Sequence, residues 1–171
     1  PETSIGSVMS NRGFTVDAQD VVYVTVRVMA GNNNQAGQIT SKGIAALGTQ
    51  FRVGGFMNNL GAGLSANYLT FVSVMATENN TTVNFSNIAT GATLLNNTLV
   101  GNSVPPVTLN VGQSYILALK MNSNPVNQTA LIGSLVSSDK PIVVNCGSFA
   151  GSNAITNSGM DIGFDQIVSA E

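Results

Sequence analysis

Valine recurs at every second position from Val22 through Val24 and Val26 to Val28, with Tyr23, Thr25 and Arg27 between them. A period of two places alternate side chains on opposite faces of a strand, so this run reads as a β-strand with a buried valine face. The cluster Gly31, Asn32, Asn33 and Asn34 ends it. The same signature returns along the chain. Phe51 and Val53 alternate with Gln50 and Arg52 in the run 49–56. An apolar run from Tyr68 to Ala76 meets a turn at Glu78, Asn79, Asn80 and Thr81, and 82–86 reads as its return strand. A second hairpin joins 107–110 to 114–119 through Val111, Gly112 and Gln113. A last pair of strands, 130–136 and 141–149, is joined around Ser138, Asp139 and Lys140, with Pro141 opening the second strand, where a missing donor matters least. Asn at these turns tolerates the positive φ that tight hairpins need.

Short strands with turn signals about every ten residues predict an all-β chain, an antiparallel β-sandwich of jelly-roll-like type with little or no helix. β-branched residues and Asn are frequent, Lys and Glu are scarce, and Gly interrupts nearly every stretch, all against helix. At most one helical turn fits between Ser41 and Leu47. The 171 residues suit one β-sandwich domain or fragment spanning 1–171. An echo links 13–26 with 133–146. Each has Gly, an apolar residue, a polar turn with an acid and then an apolar strand, and no domain boundary follows from it.

Charge narrows the function. Only 8% of residues are charged, while 43% are hydrophobic, so Asn, Ser, Thr, Gln and Gly replace charge at the surface. The hydrophobic content argues against disorder. Net charge is −2, and the basic residues Arg12, Arg27, Lys42, Arg52, Lys120 and Lys140 are scattered. No stretch can neutralise several phosphates, which speaks against nucleic acid and against a polybasic membrane patch. No apolar run reaches the roughly 18 residues of a membrane span, so no membrane insertion by this segment is expected.

Catalysis is limited by inventory. The chain has no His, so triad chemistry and His-based zinc sites are excluded. No glycine-rich phosphate loop is present. Carboxylate-pair hydrolysis needs only acids, and Asp161 with Asp165 is the candidate pair. Calcium also needs only oxygen ligands, and its weak candidates are Asp17 with Asp20 and Asp161 with Asp165. Neither spacing is that of an EF-hand, and turn formation by Asp is the simpler reading. No catalytic residue and no cofactor is assigned. Cys146 is in phase with Ile142 and Val144, which predicts a buried, inert thiol. Tyr23, Tyr68 and Tyr115 fall inside strand patterns and are expected to pack in the core or on a sheet face. Asn79, Asn80, Asn84, Asn96 and Asn127 each begin an Asn-x-Ser/Thr pattern, which matters only in a eukaryotic host.

The motif at 131–144, with Gly133, Ser134, Lys140, Pro141 and Ile142 as its fixed points, resembles the domain at the N-terminus of IgGFc-binding proteins. Gly48, Thr49, Gln50 and Phe51 are similar to that family's G-T-E-F. The segment around Glu78 to Val83 and the pattern from Val107 to Tyr115 fit as well. The stretch from Asp161 to Val168 resembles the bacterial branch. The resemblance runs from about Arg12 onward and implies a module of a large secreted cell-surface protein of Bacteroidetes. Such proteins are exported by type IX secretion and linked to gliding motility and adhesion. It implies a non-enzymatic structural or adhesive role, with neighbouring domains of the same long chain, other surface proteins or glycans as partners. It also implies a further strand after Glu171, so that the chain is truncated there. The Fc binding that names the family belongs to animal mucus proteins and is carried onto no residue here. The alternative is a carbohydrate-binding module whose Asn32–Asn34 and Asn58–Asn59 loops bond to hydroxyls.

Overall fold

A computed structural model describes residues 2–29, 36–59, 69–120, 123–152 and 161–170. The described residues are all-β and antiparallel, and their helix is limited to short 3₁₀ segments at Glu2–Ser4, Gly43–Ala46 and Pro125–Gln128. The strands are β1 Thr25–Met29, β2 Ala36–Thr40, β3 Gly48–Arg52, β4 Thr70–Ala76, β5 Thr81–Ser86, β6 Val104–Leu109, β7 Ser114–Ala118, β8 Leu135–Gly151 and β9 Asp161–Ile167.

β8 is the spine. Along its first part it pairs with β5 and β3, and along its second part with β4 and β9. β6 adds to β5 and β7 adds to β4, giving the order β6-β5-β8-β4-β7. The strands at the two ends of that order, β6 and β7, are linked through just 110–113, with Gly112 at φ 74°. So short a link forces the sheet to curl until its ends meet, which makes the fold sandwich-like or barrel-like. Phe51, Val74, Phe85, Leu109, Leu117 and Val144 fill one core cluster between the inward faces.

The pairing differs from the hairpins expected. β4 and β5 do not pair with each other, because β8 lies between them in the strand order, and the turn with Asn80 at φ 54° carries the chain from one part of β8 to the other. β6 and β7 are likewise joined by a tight turn without pairing. Ser138, Asp139 and Lys140 are not a turn; β8 runs through them as one strand. Asp139 Oδ1 accepts from the Thr82 amide at 2.7 Å, so its acid serves a neighbouring strand. Pro141 falls where β5 pairing has ended and β4 pairing begins, a point that needs no ladder donor.

The valine run is the main correction. Only Thr25–Met29 is strand, and Val22 and Val28 are 56% and 40% exposed. β1 pairs with β2 in a two-stranded sheet, and Val22, Val24 and Val26 line an open cleft in place of a closed core. The echo segments also differ: 133–146 runs into β8, while 13–26 becomes strand at Thr25. The run at β3 behaves as its pattern says, with Phe51 and Val53 buried and Gln50 and Arg52 exposed, but Phe56 lies beyond the strand and is exposed. The 31–34 cluster, Tyr68 and Glu171 lie outside the described residues.

Candidate functional site

Two clefts flank the second half of β8. The smaller, about 700 Å³, opens on the inner side of β8 and β9, where Cys146, Asp165, Asn58 and Met57 meet. The strand period puts Asp161, Gly163 and Asp165 on one face of β9, and register sets Asp165 opposite Cys146. A Cβ at Gly147 would collide with the Gly163 carbonyl oxygen, so glycine is required for β8 and β9 to approach this closely.

The acids of this cleft are engaged. Asp165 Oδ2 pairs with Lys42 Nζ at 2.8 Å, and the same ammonium donates to the Gln166 carbonyl. The Lys42 amide donates to Gln166 Oε1 at 2.6 Å. Asp161 Oδ1 accepts from the amides of Ala36 and Ile162 at 2.7 and 2.8 Å. Together these bonds staple β9 to β2 and to the segment that follows it. Four residues apart on a strand, Asp161 and Asp165 have Cα atoms about 13 Å apart, and each carboxylate is held by its own partners. Asp20 Oδ1 caps the Val21 amide at 2.7 Å, and Asp17 lies on the same exposed segment. Among the described residues, no three of His, Cys, Asp or Glu converge as metal ligands.

Cys146 is buried, and burial pushes its thiol up from the ordinary range; the Gly54 backbone bond works the other way. Tyr115 is buried too. Its hydroxyl donates to Asn97 Oδ1 at 2.8 Å, and desolvation raises it above the usual phenol value. Tyr23 overturns its expected packing: it is 81% exposed, with its hydroxyl 3.2 Å from Thr40 Oγ1. Asn58 is not a sugar-facing loop residue. It is buried, with Nδ2 donating to Thr70 Oγ1 at 3.3 Å and Oδ1 accepting from the Ser152 amide at 3.2 Å. Asn127, a match to the glycosylation pattern, is also buried and belongs to the interior.

The larger cleft, about 1350 Å³, lies between the N-terminal segment and the outer face of the β7-β4-β8-β9 part of the sheet. Its floor includes Ser73, Asn145 and Gln166, and Phe14, Val16 and Val22 line it from the N-terminal segment. The same segment is openly apolar: Phe14 is 86% exposed, and Val21, Tyr23 and Met29 are more exposed than buried. Sequence reasoning missed this floor. Its signal was there, since Ser73 and Asn145 are single polar residues inside the apolar runs of β4 and β8.

A protein-family model described as IgGFc binding protein matches residues 37–171. Comparison with curated proteins gives no match, and comparison with solved structures gives none.

Proposed function

The chain belongs to the IgGFc-binding protein family, and from that premise we propose that it is a non-catalytic structural or adhesive module of a large secreted cell-surface protein. Membership supports a binding or structural module. No helix among the described residues is long and apolar enough to cross a membrane. The carrying observation is the apolar surface of the N-terminal segment at Phe14, Val21, Tyr23 and Met29. A segment that exposes several large apolar side chains offers surface to another macromolecule, and a chain with so few charges has little repulsion to keep a partner away. Asp20, Asp139 and Asp161 accept from backbone amides and Asp165 pairs with Lys42, which supports structural roles for these acids.

The resemblance of 161–168 to the bacterial branch supports a bacterial cell surface, with roles in adhesion or gliding. The partners are then adjoining domains of the same long chain, other surface proteins or glycans. Deleting the domain from the parent gene weakens attachment, motility or surface assembly under this reading. Unchanged attachment, motility and assembly in a deletion strain that still exports the protein would overturn it. A glycan array on the isolated chain separates the carbohydrate-binding alternative, which requires binding at millimolar sugar or tighter.

A further inference from the structure

The floor of the larger cleft has an order that its apolar walls do not explain. Ser73 on β4, Asn145 on β8 and Gln166 on β9 are cross-strand neighbours in register. Their side chains therefore form one row across the outer face, spaced about 4.8 Å apart. The flanking rows are apolar, with Met75 and Val143 on one side and Phe71 and Phe164 on the other. Gln166 is engaged with the Lys42 amide. Asn145 is not so served: its Oδ1 is buried and has no hydrogen-bond partner among the described residues. Native proteins rarely leave a buried amide oxygen without a donor. Asn145 lines the cleft, and a half-turn of its amide exchanges the donor and acceptor ends it offers there.

We propose that this cleft binds an extended, uncharged peptide segment rich in apolar side chains, laid along the Ser73–Asn145–Gln166 row. A peptide carries an amide at each residue of its spine and side chains to either side, so a polar centre line with apolar flanks is its complement. A fatty chain is polar at one end and leaves the middle of the row unmatched. A sugar presents hydroxyls on all sides and sets them against Met75, Val143 and Phe164. Of the described lining residues, Arg12 is the one with a charge, which favours a neutral occupant. The volume exceeds the roughly 300–1000 Å³ of a small-molecule pocket. The site goes beyond the module reading, and because it is tested on the purified chain its failure leaves that reading standing.

The test is titration of a blocked nonapeptide of valine, serine and alanine into the isotopically labelled 171-residue chain, followed by amide chemical shifts. Saturable shifts centred on residues 73, 145 and 166 are expected. Asn145→Leu keeps the fold and weakens the peptide by about tenfold or more, the effect of one amide hydrogen bond. If that variant does not fold, Ser73→Ala gives the same reading with a smaller loss. Shifts that avoid the floor, or an affinity unchanged by both substitutions, would overturn the proposal. So would dodecanoate occupying the floor where the peptide does not.

Discussion

Lys42 Nζ stands 2.8 Å from Asp165 Oδ2 and joins the turn after β2 to β9. The pair is partly exposed, at 35% for the lysine and 63% for the aspartate side chain. Exposed ion pairs contribute from nothing to about 1 kcal/mol and weaken in salt. Asp165→Asn is therefore expected to lower stability by less than about 1 kcal/mol, with the difference shrinking in high salt. Thermal melts at low and high ionic strength check this. Asp161→Asn and Asp165→Asn should also leave polysaccharide hydrolysis at the wild-type background; activity present in wild type and lost in either variant would restore the carboxylate pair.

Asn127 gives a larger effect. Its Oδ1 accepts from the Thr93 amide at 2.9 Å, and Nδ2 donates to the carbonyls of Thr93 at 3.0 Å and Lys120 at 2.7 Å. Asn127→Ala removes all three bonds; the Thr93 carbonyl keeps the Lys120 amide at 2.8 Å, while the Thr93 amide and the Lys120 carbonyl lose this partner, and the expected cost is about 1–3 kcal/mol. Asn127→Asp should be at least as harmful, since a carboxylate then faces two carbonyl oxygens. Urea unfolding measures both, and a change below about 0.5 kcal/mol, typical of an indifferent surface site, would contradict this network.

Alkaline pH should weaken the fold. Burial raises the Cys146 thiol above its ordinary 9.0 and the Tyr115 phenol above 10.0. A raised acid ionises first in the unfolded chain, so its contribution is fully present below the unfolded value and is lost as pH rises beyond it. Unfolding midpoints are expected to be flat from pH 7 to 8.5 and to fall above pH 9. Cys146→Ala should flatten part of that fall while lowering the whole curve through the space it leaves. In the folded wild type, thiol reagents should label Cys146 slowly, at a rate that tracks unfolding.

Strand positions were readable in the sequence and strand partners were not. β3, β4, β5 and β7 follow the apolar runs read in the sequence, because each has one face on the core, while β6 begins at Val104, three residues before the run read at 107–110. The turns at Asn80 and Gly112 were also legible, since both take positive φ. What those turns connect was hidden. A tight turn between two apolar runs looks the same whether the strands pair or pass to different parts of β8, and only the long-range pairing of 135–151 decides. Asp139 misled for a related reason: a strand interior with a polar partner at Thr82 has the composition of a turn. The valines of 22–28 misled because alternation shows a shared face and not what covers it. At the candidate site, the burial of Cys146 followed from its phase with Val144. The row of Ser73, Asn145 and Gln166 did not, since it exists only once three distant strands are in register.

The apolar segment at Phe14, Tyr23 and Met29 connects the fold to the proposed role, and substituting it tests that connection most directly. The triple variant Phe14→Ser, Tyr23→Ser and Met29→Ser changes exposed side chains and should alter stability by no more than about 0.5 kcal/mol per site. Placed in the full-length protein in its host, it is predicted to reduce surface attachment as far as deletion of the whole domain does, with export and folding unchanged. Full attachment by cells displaying the folded triple variant, alongside loss in the deletion strain, would contradict the account.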